Sequence, residues 1–213
     1  MCDEQGKLRA ATVVDHIQAH KGDPVLTWAR WNLRGLCKQC HDRKTARTDN
    51  NKAFGRWKRI PEFVKRPPFP VTVVCGAPAS GKRTYTQAQS ASDAIVIDPE
   101  QIAATLSGQP MHTADMTNWL APTMLERNQQ LAKLYTSRAS EAWLLVRSSR
   151  LKDRRAWARI LGAKVVVMET AEDTCIDRIR HSQRIDKPAD KVAVSKWWHD
   201  YVSDMSDTVI RHA

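Results

Sequence analysis

From residue 71 onward the chain predicts an α/β fold built on a parallel sheet, and two observations carry that reading. Short apolar, β-branched runs at Val71–Cys75, Ala94–Ile97, Ala142–Val146 and Lys164–Met168 alternate with helical patterns near 82–91, 101–107, 117–138, 150–161, 171–182 and 190–211. Strands that alternate with helices imply a parallel sheet covered on both faces. The second observation is Gly76-Ala-Pro-Ala-Ser80-Gly81-Lys82-Arg83-Thr84, a Gly-x4-Gly-Lys loop set between the first of these strands and the first helix. Successive backbone N–H groups and a helix N-terminus make such a loop a phosphate cradle.

The remainder of the chain has a different texture. Residues 1–52 are short, polar and rich in Cys, His and Trp. They hold too little apolar area for a large core, and a domain of that size usually needs a metal or another staple. Residues 53–69 mix prolines with Lys and Arg and read as a basic, semi-rigid linker. A domain of residues 70–213 follows.

Bulk composition narrows the function classes. At 213 residues and 42% hydrophobic content, the chain can fill a globular core. No apolar run approaches the roughly 18–20 residues that span a membrane, so no membrane partner is expected. The polar, charged start does not read as a signal peptide, which predicts a cytoplasmic protein. Two of the five cysteines form a Cys-x-x-Cys, a pattern that suits a reduced compartment and metal binding better than disulfides. The net charge is +11, and +8 of it lies in residues 1–70. Positive charge concentrated in that way points to a polyanion, with DNA the first expectation.

The N-terminal segment also carries chemistry. Asp15-His16-Ile17 is followed by Asn32 and then by Cys37-Lys-Gln-Cys40-His41. Hydrolysis of a phosphodiester needs an activated water, and an imidazole can take its proton. It also needs a cation to neutralise charge developing on the phosphate. His16 is the candidate base, and Asp15 and His41 are the candidate ion ligands.

These residues resemble the HNH endonuclease family over about residues 2–48, with His20-Lys-Gly22-Asp23 similar to its phage-type members. The resemblance implies a β-hairpin packed on a helix around one metal, a ββα-metal unit. In it His16 activates water, Asp15 and His41 hold Mg²⁺ or a similar divalent ion, and Asn32 pins the loop that carries His16. It further implies a structural Zn²⁺ held by two Cys-x-x-Cys pairs. Cys37 and Cys40 are the second pair. Cys2 fits the second cysteine of the first pair, whose partner would precede Met1, so the zinc knot reads as clipped.

The later domain resembles P-loop kinases of the polynucleotide-kinase type, on the strength of the Gly76–Thr84 loop and of Val96-Ile97-Asp98-Pro99-Glu100 after the second strand. The resemblance implies ATP bound by Gly76, Ser80, Gly81, Lys82, Arg83 and Thr84. It makes Asp98 or Glu100 the acid that deprotonates an acceptor hydroxyl. The residue after the loop lysine is usually Ser or Thr, for Mg²⁺; here it is Arg83, with Thr84 about 100° further round the helix. Such kinases often hold an acceptor phosphate with an Arg near the acid, where this chain has Gln101 and Ala103. Arg178, Arg180 and Arg184 stand where a lid would supply cations. Trp197-Trp198 reads as core or interface.

The combined expectation is a phage-like protein of a bacterial or phage-infected cell, a metal-dependent HNH endonuclease or nickase fused to an ATP-binding domain suited to phosphorylating polynucleotide 5′ ends. Two alternatives stay open: an end-processing kinase whose HNH part only grips DNA, and a DNA-binding accessory with both sites decayed. Sequence specificity, strand preference and oligomeric state are not legible.

Overall fold

The computed structural model describes residues 10–16, 28–42 and 63–212. The chain divides into two compact units, Met1–Arg56 and Trp57–Ala213. Cys2, Ile17, His20, Gly22 and Asp23 lie outside the described residues.

In the first unit β1 (Val13–His16) pairs antiparallel with β2 (Leu33–Leu36), with Asp15 opposite Arg34 and His16 opposite Leu33. A single 3₁₀ turn, Arg30–Asn32, leads into β2. Residues 38–42 are helical, and the His41 amide donates to the Cys37 carbonyl at 3.0 Å. A hairpin followed by a helix is the order that the ββα resemblance implies. Among the described residues of this unit the buried side chains are Cys40, Asp15 and Asn32.

The second unit is a five-stranded parallel sheet flanked by helices. Its strands are β3 (Val71–Gly76), β4 (Ile95–Ile97), β5 (Ala142–Val146), β6 (Lys164–Thr170) and β7 (Thr208–His212). Its helices are α1 (Lys82–Gln89), α2 (Pro99–Ser107), α3 (Met116–Lys133), α4 (Leu151–Leu161), α5 (Glu172–Arg180) and α6 (Lys187–Asp200). The strand order is β4-β5-β3-β6-β7, and every pairing is parallel. After β5 the chain crosses to the other side of β3, so the order reverses there. In open α/β sheets ligands bind at such a switch point, beyond the carboxyl ends of the strands.

The strands are β-branched because they are covered on both faces. Val71, Val73 and Cys75 of β3 face a large core with Leu131, Trp157, Leu161, Ile179, Val194 and Trp197. Val74 faces the other layer with Trp143, Val166 and Met168. Each such Val contributes roughly 1.5–3 kcal/mol by leaving water. Val64 and Phe69 pack into the first of these cores. Among the described residues, no helix is long and apolar enough to cross a membrane.

The C-terminus corrects the sequence reading, which expects one helix over 190–211. The helix α6 stops at Asp200, and the chain returns as β7 beside β6. A buried guanidinium makes the stop. Arg154 on α4 pairs with Asp207 at 2.8 Å and also donates to the Ser149 and Val202 carbonyls. The Asp204 carboxylate then turns the chain by accepting from the Ser206 amide at 3.0 Å. Tyr201 stacks on Trp197 with ring centroids 4.7 Å apart, and Trp198 packs edge-on against both, so the Trp197-Trp198 pair belongs to the core packing.

Candidate functional site

The phosphate loop is wound by two left-handed residues, Ala79 at φ 58° and Gly81 at φ 86°. Glycine adopts that conformation without strain, whereas Ala79 does so at a cost. Gly81 caps α1 with no side-chain bond to the helix amides, which leaves its N-terminus open to an anion. A Cβ on Gly76 would lie 2.4 Å from Ser80 Oγ and 3.1 Å from Met168 Cβ, so the loop closes over this position only as glycine. Buried Ser80 is tied to β6 by Thr170 Oγ1, which donates to its carbonyl at 2.9 Å.

Lys82 folds back over the loop and donates to the Gly76 and Ala77 carbonyls at 3.1 and 2.7 Å. Loss of water around its ammonium lowers the Lys82 pKa to about 8, against the opposing pull of Glu100. The ammonium thus lies over the loop, within the cradle that could hold the terminal phosphates of a nucleotide.

Arg83 turns the other way. Its Nε and Nη2 donate to Asp98 Oδ2 at 3.1 and 2.5 Å, and its Nη1 contacts Met111 Sδ. Asp98 also caps α2 by accepting from the Glu100 amide at 2.9 Å. Asp98 is therefore spent on a cap and a guanidinium, an arrangement the sequence reading of it as a base does not anticipate. Thr84 is exposed.

Glu100 sits at the centre of a cationic ring. Arg147 Nη2 lies 3.1 Å from its Oε1, and Arg184 Nη2 lies 3.4 Å from its Oε2. His112 Nδ1 is 2.8 Å from Oε2 but off the line a hydrogen bond needs. Arg184 also binds Asp190 at 2.8 Å. Burial raises the Glu100 pKa, but His112, Arg184, Arg147 and Lys82 outweigh it and hold the carboxyl well below the usual range. Of the expected lid cations, Arg178 donates to the Ala79 carbonyl at 3.2 Å, Arg184 joins this ring, and Arg180 is exposed.

Gln101 and Ala103 occupy the positions near the acid where an arginine is expected. The structure brings Arg83, Arg147 and Arg184 instead, together with His112 and Asp190. Arg147 carried a usable signal, since it directly follows a strand whose carboxyl end borders the loop. His112 and Asp190 carried none, being brought in by a left-handed turn at φ 68° and by the first turn of α6. Two further cysteines are buried packing residues: burial pushes the Cys75 thiol up to about 12 and raises Cys175 as well.

The N-terminal unit brings Asp15 and His16 to the end of β1, across from β2. Asn32 is fully buried one residue before Leu33, the partner of His16. Asp15 is itself largely buried and pairs with Arg34 at 3.1 Å. His41 lies 3.6 Å from Asp42 on the helix that follows Cys37. A carboxylate and an imidazole suit a divalent first-row metal ion, and two thiols suit half a zinc site. Among the described residues no three His, Cys, Asp or Glu side chains gather as a metal site.

A family model described as AAA domain matches residues 71–200, and one described as HNH endonuclease matches residues 1–47. No curated protein matches the chain. Among solved structures, a sugar kinase from Janibacter sp. HTCC2649 is 16% identical with a TM-score of 0.40, over 68% of this chain and 85% of that one. A shikimate kinase from Acinetobacter baumannii is 12% identical with a TM-score of 0.44, over 68% and 85%. The Pnkp1/Rnl/Hen1 RNA repair complex is 14% identical with a TM-score of 0.46, over 62% of this chain and 45% of that one. The parallel sheet, the loop at Gly76–Lys82 and the matched span together make this chain a member of the AAA-domain family, with an HNH endonuclease domain at its N-terminus.

Proposed function

We propose that the chain is a DNA-processing enzyme with two phosphate chemistries. In this reading the HNH unit cuts or nicks DNA with a divalent ion. The P-loop unit binds ATP and transfers its terminal phosphoryl group to polynucleotide 5′ ends. The observation that carries the reading is that one chain joins a loop shaped for a triphosphate to a hairpin whose first strand ends on Asp15 and His16.

In the first reaction His16 takes a proton from the water that attacks phosphorus, and the P–O bond to the leaving strand breaks. Asp15 and His41 would hold the ion, which supplies positive charge to the scissile phosphate. Buried Asn32 fixes the backbone beside His16. Cys2, Cys37 and Cys40 would supply thiols to a structural Zn²⁺. In the second reaction the 5′-hydroxyl oxygen bonds to the γ-phosphorus, its proton passes by way of the transferred phosphoryl group to solvent, the bond to the β,γ-bridging oxygen breaks and ADP leaves. The loop amides and Lys82 hold the phosphates. Asp98 acts by fixing Arg83, and Glu100 by holding Arg147 and Arg184. A loose phosphoryl transition state asks for positioning and charge more than for a strong base.

The test is plasmid nicking in Mg²⁺ together with transfer of labelled γ-phosphate from ATP to a 5′-hydroxyl oligonucleotide. Both activities support the proposal. Label transfer without nicking would favour the reading in which the HNH unit only grips DNA, and loss of both would leave a DNA-binding accessory.

A further inference from the structure

The P-loop unit lacks the residues that ordinarily hold Mg²⁺ beside a bound triphosphate. In that fold the ion sits between a Ser or Thr hydroxyl directly after the loop lysine and an acid at a strand end. Here both places carry a guanidinium. Arg83 follows Lys82, and Arg147 follows Val146, the β5 residue in register with Cys75 beside the loop. The carboxylates nearby are already matched to these cations. Asp98 takes both bonds from Arg83, and Glu100 takes Arg147 at 3.1 Å and Arg184 at 3.4 Å. Asp190 takes Arg184 at 2.8 Å. Thr84 does not replace the missing hydroxyl, because it is exposed and one position further round α1. The donor set does not fit the ion.

We infer that this unit takes its nucleoside triphosphate without a divalent ion, with Arg83 and Arg147 supplying fixed positive charge in its place. The inference rests on the ATP-binding reading above. A guanidinium has five N–H donors. Arg83 spends them on Asp98 through Nε and Nη2 and on Met111 through Nη1, which leaves two for phosphate oxygens. Because Asp98 holds the side chain through two bonds before ligand arrives, little rotamer freedom is lost on binding. Arg147 is half exposed, so it can turn from Glu100 to a phosphate at small cost. These cations replace the charge of the ion and not its coordination geometry.

The experiment titrates a fluorescent ATP analogue into the full chain, in EDTA and in Mg²⁺, for wild type, Arg83→Ser and the double variant Arg83→Ser with Asp98→Asn. Wild type should bind within about threefold in the two buffers, since the ion has no seat to fill. Arg83→Ser should weaken binding in EDTA by about tenfold or more, as loss of a charged hydrogen-bond donor does. Mg²⁺ should restore that affinity, because the serine hydroxyl and the released Asp98 rebuild the metal site. The double variant removes the unpaired carboxylate, keeps the fold balanced and should stay weak in both buffers. Wild-type binding that is tenfold or more tighter in Mg²⁺ overturns the inference and leaves the ATP-binding reading standing. Wild-type affinity in EDTA for Arg83→Ser overturns the role of Arg83. No binding by wild type in either buffer overturns the ATP-binding reading, and this inference with it.

Discussion

In the proposed function the two units hold phosphate in opposite ways. The P-loop unit uses backbone. Its loop amides, an open helix N-terminus and positive φ at Ala79 and Gly81 make the cradle, and a two-faced parallel sheet holds them rigid. The N-terminal unit uses side chains. Asp15, His16, Asn32 and His41 come from two strands, a 3₁₀ turn and a short helical stretch. Among its described residues Cys40 is the buried apolar side chain. A backbone site is stable because its domain is stable, whereas a side-chain site on so small a scaffold depends on what its ligands hold.

That difference can be broken from the P-loop side first. Arg154 and Asp207 are both almost fully buried and pin β7 to α4. Arg154→Ala leaves a buried carboxylate without its partner, so the P-loop unit should lose about 3–5 kcal/mol. Denaturant unfolding followed at the second unit checks this, and a loss under about 1 kcal/mol would show that the pair does not hold the edge strand. In the other unit Arg34→Ala removes a half-exposed partner of Asp15 and should cost much less.

Lys82→Ala should weaken ATP binding roughly ten- to a hundredfold while the melting temperature holds, since the amides keep most of the cradle. Unfolding of the variant would mean that Lys82 is structural. The same residue sets a pH dependence. Its folded pKa is lowered to about 8, so the ammonium is present below that pH and lost above it. Raising pH from 7 to 9 should therefore weaken ATP binding by up to about tenfold. Lys82→Arg should flatten the profile, and an equally steep fall in that variant would assign the titration to another group.

The smallest effects concern DNA. If the +8 of residues 1–70 carries the grip, each phosphate contact there contributes about −0.9 to the slope of log affinity against log salt. Neutralising Arg30 or Lys38 should reduce the slope by about one each, and neutralising Lys152 on α4 should leave it unchanged. An equal change at Lys152 would spread DNA binding over both units.

The sequence disclosed the backbone site nearly whole, because a Gly-x4-Gly-Lys between a strand and a helix fixes geometry locally. It disclosed the hairpin residues by their spacing. It did not disclose the ring around Glu100. Arg147 at the end of β5 and Asp190 on α6 are far apart in the chain and meet only in the folded domain, and His112 reaches Glu100 from the left-handed turn after α2. Nor did it disclose β7, because the apolar pattern over 190–211 suits a helix until the buried Arg154 clamp at Val202 and Asp207 is known.

If the two proposed chemistries reside in the two units, each can be removed without the other. The most direct test of this runs plasmid nicking in Mg²⁺ and 5′-label transfer on the same three proteins: wild type, His16→Ala and Lys82→Ala. His16→Ala should lose cleavage by about 10²–10⁴ and transfer label at the wild-type rate. Lys82→Ala should cleave normally and lose transfer. Equal cleavage by His16→Ala and wild type, or loss of both activities in either variant, would contradict that assignment.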